Sequence, residues 1–322
     1  MIRYRSGLNT DPPAVLELWN EVLNGRGTYP IRNTLHLERW LYSKPYFDNE
    51  DVVAAVDEET NVLIGLSLVG HGPGQELDRL DLSRGVVCAV LVKPAFRNRG
   101  IGRELLRRAE DILKSRGSTQ IQVGSMWPNC PYLYGLYGGS NSPGILSGEV
   151  DAVPFLTCSG YAPTKTMLVM HKRLDVPLTI ADTRFGMLRR RYDPQALRLS
   201  TIPTWWHECM WGLLEPTEIR LTDKLTGLPA ARAIVWELEG FSWRWGMPSV
   251  GILDLQVRDD LRRLGLGKML LVQVLRMMQD QFFAVAELQV PADDPIALGL
   301  CRSLGFDEVD RGRIYERPPE TV

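Results

Sequence analysis

The sequence is poor in cysteine, histidine and lysine, and it has no long apolar run. Five cysteines, Cys88, Cys130, Cys158, Cys209 and Cys301, are scattered through 322 residues without a C-x-x-C pair. An odd, unclustered set reads as reduced thiols of an intracellular, cytoplasmic protein rather than a disulfide framework. The four histidines have no metal-ligand spacing, so no metal is expected. His207-Glu208 is not a zinc-binding pair, because Trp211 stands where the second histidine is needed. No window of about 18 apolar residues offers a membrane span. The opening Met1-Ile2-Arg3-Tyr4-Arg5-Ser6 is no signal peptide. Charge is nearly balanced, 37 basic against 39 acidic residues, for a formal net charge of −2. That argues against a general nucleic-acid coat. Only seven of the basic residues are lysines, which reads as base composition rather than function.

What remains is ordinary globular composition, 44% apolar and 24% charged. At roughly 150 residues per domain the chain holds about two domains. A repeat gives that number a meaning. VLVKPAFRNRGIGRELL begins at Val90, and LQVRDDLRRLGLGKMLL begins at Leu255, a shift of 165 residues. Val92/Val257, Arg97/Arg262, Gly100/Gly265, Gly102/Gly267, Leu105/Leu270 and Leu106/Leu271 are identical. Two weaker echoes follow in the same order. Ile121-Gln122-Val123 matches Leu288-Gln289-Val290 at a shift of 167, and Ser159-Gly160-Tyr161 matches Leu304-Gly305-Phe306.

Each copy has one local grammar: a β-branched apolar run, a Gly-x-Gly turn, then an amphipathic helix. Val86–Val92 and Ile252–Val257 are the strands. Ile101, Leu105, Leu106, Ala109, Ile112 and Leu113 share a helix face, and Gly117 stops that helix. The second helix, through Leu271–Met278, is apolar on more than one face and is expected to be buried between domains. Elsewhere, Ile2–Arg5 reads as a strand, and Pro12-Pro13 opens a helix that Gly25 ends. Val52–Val56 and Val62–Val69 form a hairpin, and Thr166–His171 is a closing strand. Residues 173–200, with Arg189-Arg190-Arg191, read as an interdomain connection. In the second half 202–214 is expected helical. Segments 218–222, 231–240, 306–309 and 313–317 are expected as strands.

A glycine-rich turn before a helix can hold an anion. Glycine permits positive φ and close approach to the backbone, and the first helical amides lack partners. The spacing excludes a dinucleotide fingerprint, since Leu105 and Leu270 replace its third glycine, and it excludes a Walker loop. The pattern V-x-x-x-x-R-x-x-G-x-G after a strand resembles the GCN5-related N-acetyltransferase (GNAT) superfamily, here as a tandem two-domain member. The resemblance implies two acyl-CoA N-acyltransferase domains, 1–175 and 176–322. Each is an α/β domain with a twisted, mostly antiparallel mixed sheet and helices on both faces. It implies that acetyl-CoA is bound by Arg97, Asn98, Arg99, Gly100, Ile101, Gly102 and Arg103. In the second copy Arg262, Arg263, Leu264, Gly265, Leu266, Gly267 and Lys268 would do the same. Val90 and Val92, and Leu255 and Val257, would face the pantetheine arm. The second turn departs from the pattern: it lacks the proline and carries Leu264 at a usually basic position.

Acetyl transfer to an amine needs a neutral nucleophile. An amine of pKa ~10.4 is handicapped at pH 7 by about 4.6 kcal/mol, which a base must offset. The resemblance puts that base on the fourth or fifth strand, and the matching residue is glutamine in both copies, Gln122 and Gln289. Glu287, two residues before Gln289 on the same strand face, and Asp254 are the alternatives, unless they are only surface or hydrogen-bonded carboxylates. The family's usual tyrosine acid is missing from both glycine-aromatic segments. Cys301 can donate a proton there or simply pack. The first copy has about 20 extra residues around 129–144. Tyr132, Tyr134 and Tyr137 are expected to line an acceptor pocket there, or else to pack the loop on itself. Trp205, Trp206, Trp211, Trp236, Trp243 and Trp245 mark an apolar pocket, an interface or plain core. The expected activity is transfer from acetyl-CoA to a small-molecule or peptide amine in a ternary complex, without nucleic acid or membrane, by a monomer or homodimer. The alternatives are a non-catalytic acetyl-CoA-binding module and another acyl-CoA-dependent transferase.

Overall fold

The computed structural model describes residues 1–179, 182–199 and 202–318. The first half runs β1 (Ile2–Ser6), α1 (Pro12–Val22), α2 (Thr34–Leu37), β2 (Val52–Asp57), β3 (Val62–Pro73), β4 (Leu80–Val92), α3 (Ile101–Ser115), β5 (Gln120–Val123), β6 (Ile145–Leu146), α4 (Ala152–Cys158) and β7 (Ala162–Arg173). The second runs α5 (Phe185–Arg191), β8 (Tyr192–Arg198), α6 (Trp205–Trp211), β9 (Thr217–Asp223), β10 (Pro229–Glu237), α7 (Glu239–Trp245), β11 (Ser249–Val257), α8 (Leu266–Asp280), β12 (Val285–Pro291), α9 (Pro295–Ser303) and β13 (Asp307–Glu316). No helix among the described residues is long and apolar enough to cross a membrane.

One sheet spans both halves, in the order β1-β2-β3-β4-β5-β13-β7-β12-β11-β10-β9-β8, with β6 on β13. Among the described residues only β4–β5 and β11–β12 pair in parallel; the other pairs are antiparallel. The two pairs are related by the repeat: Val87 faces Val123, and Ile252 faces Leu288. That register corrects the second echo. The fifth strands superpose at a shift of 165, not 167, so Gln122 corresponds to Glu287 and not to Gln289. The closing strands are exchanged. β13 of the second half lies beside β5 of the first, while β7 lies between β13 and β12. The ten residues of β13 therefore complete the sheet of the first half.

Several sequence expectations need correcting. Residues 173–200 are not only a connection: α5 and β8 lie there, and β8 pairs with β9 from Tyr192↔Asp223 to Arg198↔Thr217. In the arginine run, Arg191 is bound 2.8 Å from the buried Asp223. The helix expected over 202–214 is confined to Trp205–Trp211, capped by Thr204; residues 200 and 201 lie outside the described residues. The strand expected over 231–240 ends at Glu237, where α7 begins two residues later. The two closing segments of the second half are one strand, β13. α8 is buried mainly within the second half, through Met269, Leu270, Leu271, Val274 and Leu275 against β9–β11.

The tryptophans join the halves. A single apolar cluster contains Trp19, Trp40, Tyr132, Tyr134 and Leu136 of the first half with Trp206, Trp211, Trp236 and Phe241 of the second. Second-half indoles donate to first-half oxygens: Trp206 to Pro128 O at 2.8 Å, Trp211 to Tyr134 Oη at 3.1 Å, Trp236 to Ser140 O at 3.0 Å and Trp245 to Arg26 O at 2.9 Å. Each ring buries a large apolar area and satisfies its one polar atom, the combination that suits tryptophan to an interface.

Candidate functional site

The two Gly-x-Gly turns share one backbone conformation. Asn98 and Arg263 have φ of 60° and 63°, and Gly100 and Gly265 have φ of 81° and 93°. A left-handed glycine therefore precedes each helix, α3 and α8, and the first amides of both helices face the turn. Arg97 Nε and Arg262 Nε each reach back to the strand, 3.3 Å from Val92 O and 3.5 Å from Val257 O. The repeat is real down to this bond.

What surrounds the turns differs. In the first half β4 and β5 part company after Val87, where Gly124 N donates to Val87 O at 3.0 Å. From Cys88 to Val92, β4 pairs with β3 alone. Its other edge opens into a cleft of about 900 Å³. Val90, Val92, Arg97, Asn98, Gly100, Gly102 and Arg103 line one wall of this cleft. Leu23 and Asn24 after α1, Tyr132 and Tyr137 of the long loop, and Glu149–Ala152 with Pro154 and Phe155 line the others. Gly102 keeps the cleft wall open, since a Cβ there would stand 3.3 Å from Phe155 Cε2. Arg103 has no protein partner among the described residues, so its charge is available to an anion at the turn. Ile101 points inward and is buried, and Arg99 sits against the Phe96 ring.

In the second half the chain covers its own turn. Arg184 would lie 3.3 Å from a Cβ on Gly265. Asp182 pairs with Lys268 at 3.3 Å and with Arg184 at 2.8 Å, and Arg184 holds its carboxyl well below the usual carboxylate range. An internal carboxylate thus takes the lysine that would meet a phosphate. Leu255 and Val257 pack on the core of this half, Arg262 pairs with Asp259, Leu264 and Arg263 face solvent, and Leu266 is buried.

The candidates for acid and base are dispersed. Glu287 is completely buried, accepts from Ser140 N at 2.6 Å and pairs with His171 Nε2 at 2.8 Å. Arg26 Nη2 lies 2.7 Å from the same histidine nitrogen and its guanidinium stacks over Trp245. This cluster ties the first-half loop to β12. Gln122 does the matching work on the other side, accepting from Asn129 Nδ2 at 3.2 Å. Asp254 stands at a bulge of β11 with φ of 48° and pairs with Arg232 at 2.8 Å; burial raises its pKa against that arginine. Cys301 is packed in the α8 cluster, and burial pushes its thiol up to about 11.

The tyrosine loop has two fates. Tyr134 is buried between the halves, its hydroxyl taking the Trp211 indole, and it does not line the cleft. Tyr132 lines the cleft but gives its hydroxyl to Asp51 at 2.6 Å. Tyr137 lines it too and accepts from Leu146 N at 3.0 Å. Two cleft residues were invisible in the sequence, Ser125 and Glu149. Glu149 is half-buried, and among the described residues its carboxylate has no ion pair. The other cleft carboxylates are engaged, Glu21 with Lys93 and Asp151 with Arg97. Desolvation first, then nearby Asp310, raises the Glu149 pKa. The one sequence signal was position: Glu149 follows the inserted loop.

These features define a class. A splayed parallel strand pair with a left-handed Gly-x-Gly turn at its mouth, occurring twice on one sheet, is the tandem GNAT fold. Residues 16–129 match the acetyltransferase (GNAT) family. A GCN5-related N-acetyltransferase from Sphaerobacter thermophilus aligns over 100% of this chain and 98% of its own, with a TM-score of 0.64 and 17% identity. A tandem GNAT protein from the clavulanic acid biosynthesis pathway aligns over 100% of both chains, with a TM-score of 0.63 and 16% identity. A fungal multi-domain GH3 β-N-acetylglucosaminidase, noted for a GCN5-related glucosamine N-acetyltransferase region, gives a TM-score of 0.73 at 14% identity. The alignment covers 98% of this chain and 38% of the fungal protein. No curated protein matches by sequence.

Proposed function

We propose that the chain is an acetyl-CoA-dependent N-acetyltransferase whose working site is the first-half cleft. The observation that carries this is the cleft of about 900 Å³ where β4 leaves β5, beside a turn at which nothing stands within 4 Å of a Cβ on Gly100. Turn amides and the Asn98 and Arg103 side chains suit a pyrophosphate, with Arg97 joining them by exchanging its exposed Asp151 partner. The free edge at Val90 and Val92 suits the amides of a pantetheine arm. The acceptor amine enters from the side of Leu23 and Asn24. Glu149 is the base: its raised pKa weakens it as an acid and suits it to remove an ammonium proton near neutral pH. The neutral nitrogen then attacks the thioester directly, and no enzyme nucleophile is needed. Cys88, the thiol lining the cleft near the splay, is pushed up to about 12 by burial and so stays protonated.

The halves divide at 1–175 and 176–322, with the closing strands crossing that boundary. The acceptor class is a small-molecule or peptide amine. Five free thiols favour a reducing, cytoplasmic setting, and the assembly is a monomer or homodimer. The non-catalytic reading is favoured for the second half alone, by Asp182 and Arg184 over its turn. Calorimetric titration of acetyl-CoA, followed by CoA-thiol release over a panel of amines, tests the proposal. One binding site and amine-dependent release are expected. No binding, or release independent of amine, would refute it.

A further inference from the structure

The first-half cleft contains a buried hydroxyl whose neighbour is a thiol. Ser125 Oγ is buried, bonds no nitrogen or oxygen among the described residues, and lines the cleft, with the Cys88 thiol as its neighbour. It is placed by Gly124, whose φ of 98° turns the chain just after the last β4–β5 bond. Ser125 therefore stands at the apex of the splay, opposite Cys88, where the free edge of β4 begins. The Cys88 thiol beside it is a weak acceptor. A buried hydroxyl beside a thiol is poorly satisfied, and an acceptor on a bound ligand would offer it a better bond.

Position says which part of the ligand. The edge from Val92 back to Cys88 is about 13 Å long at ~3.3 Å per residue. A pantetheine arm starting at the turn beside Val92 and lying along that edge brings its sulfur to the apex. The repeat adds a second observation. The residue corresponding to Ser125 in the second half is Val290, which is buried and apolar. The hydroxyl is present only where the turn is open.

We infer that the Ser125 hydroxyl is a catalytic hydrogen-bond donor to the thioester sulfur, in the role for which neither half has the expected tyrosine. The inference rests on the acetyltransferase reading of the cleft. Glu149 takes the ammonium proton, the nitrogen–carbon bond forms and the carbon–sulfur bond breaks. Sulfur leaves with its negative charge held by Ser125 O–H. It is then protonated from the second hydrogen on the acetylated nitrogen, through water, and Glu149 returns its proton to solvent. Serine lends a hydrogen bond and loses no proton.

Steady-state kinetics and acetyl-CoA calorimetry on the full chain test this with Ser125→Ala, Ser125→Thr and Tyr137→Phe. Ser125→Ala is expected to lower kcat about 10- to 100-fold while acetyl-CoA affinity stays within about twofold. Ser125→Thr should recover most of kcat. An unchanged kcat in Ser125→Ala overturns the assignment, as does a loss confined to Tyr137→Phe, which would give the role to that phenol. Should the unaltered protein bind no acetyl-CoA, the acetyltransferase reading fails and this inference falls with it. Binding and turnover in the unaltered protein with a silent Ser125→Ala remove this inference alone.

Discussion

Tryptophan at Gly102 separates the two turns. Gly102 lies at the mouth of the cleft, and a Cβ there would meet Phe155 Cε2 at 3.3 Å and Val92 Cγ2 at 3.8 Å. Its φ is not in the left-handed region, so substitution adds no backbone strain there. Alanine would need only a small shift of the Phe155 ring. An indole has nowhere to go but into the space between α3 and the Glu149–Phe155 wall, where the ligand would run. Blocking two charge-assisted bonds from turn amides removes about 3 kcal/mol, or roughly 100-fold in Kd. The matched change, Gly267→Trp, meets Val257 Cγ2 at 3.4 Å, beside a turn already covered by Arg184. It should leave acetyl-CoA affinity unchanged within about twofold. Calorimetry should show one site per chain in the unaltered protein and in Gly267→Trp, and none in Gly102→Trp. A thermal melt of each variant confirms the fold. Arg103→Ala and Lys268→Ala form a milder pair. The first should weaken binding about fivefold, as loss of one exposed charge contact costs near 1 kcal/mol, and the second should do nothing. Two sites lost one at a time, or a Gly102→Trp protein that binds normally, would refute the argument from open and covered turns.

Other consequences are direct. Because burial raises the Glu149 pKa above that of a free glutamate, kcat/KM should rise with pH as its carboxylate forms. Glu149→Gln should remove that limb and lower kcat about 100-fold, read from a pH–rate profile. Glu287→Ala leaves the His171–Arg26 group and the Ser140 amide unpaired in the interior. It should cost about 3 kcal/mol of stability by urea unfolding. Tyr134→Phe should lose about 1 kcal/mol, the acceptor of the Trp211 indole, with turnover unchanged.

Much of the fold was legible because it is local. The apolar run before each turn, the glycine spacing and the helix face of Leu105, Leu106, Ala109 and Leu113 are short-range patterns, and all of them stand in the structure. The register of the fifth strands was not legible. A Gln at 122 and a Gln at 289 align by eye, but pairing with β4 and β11 makes Glu287 the counterpart. A shift of two keeps the same strand face, so hydrophobic alternation cannot detect it. The loop tyrosines show the same limit. Their abundance suggested a pocket, yet what Tyr134 touches depends on α6, more than 70 positions further along the chain.

By itself the sequence determined that this is one fold written twice, with a Gly-x-Gly turn leading into a helix in each copy. Those properties follow from glycine conformation and side-chain periodicity within some 20 residues. Only the tertiary structure decided which turn is open, because the groups that cover the second, Asp182 and Arg184, lie some 80 residues before it. It also decided that Glu287 is a buried tie, and that Ser125 and Glu149 face a common cleft. Burial and proximity come from chain segments that no local pattern connects.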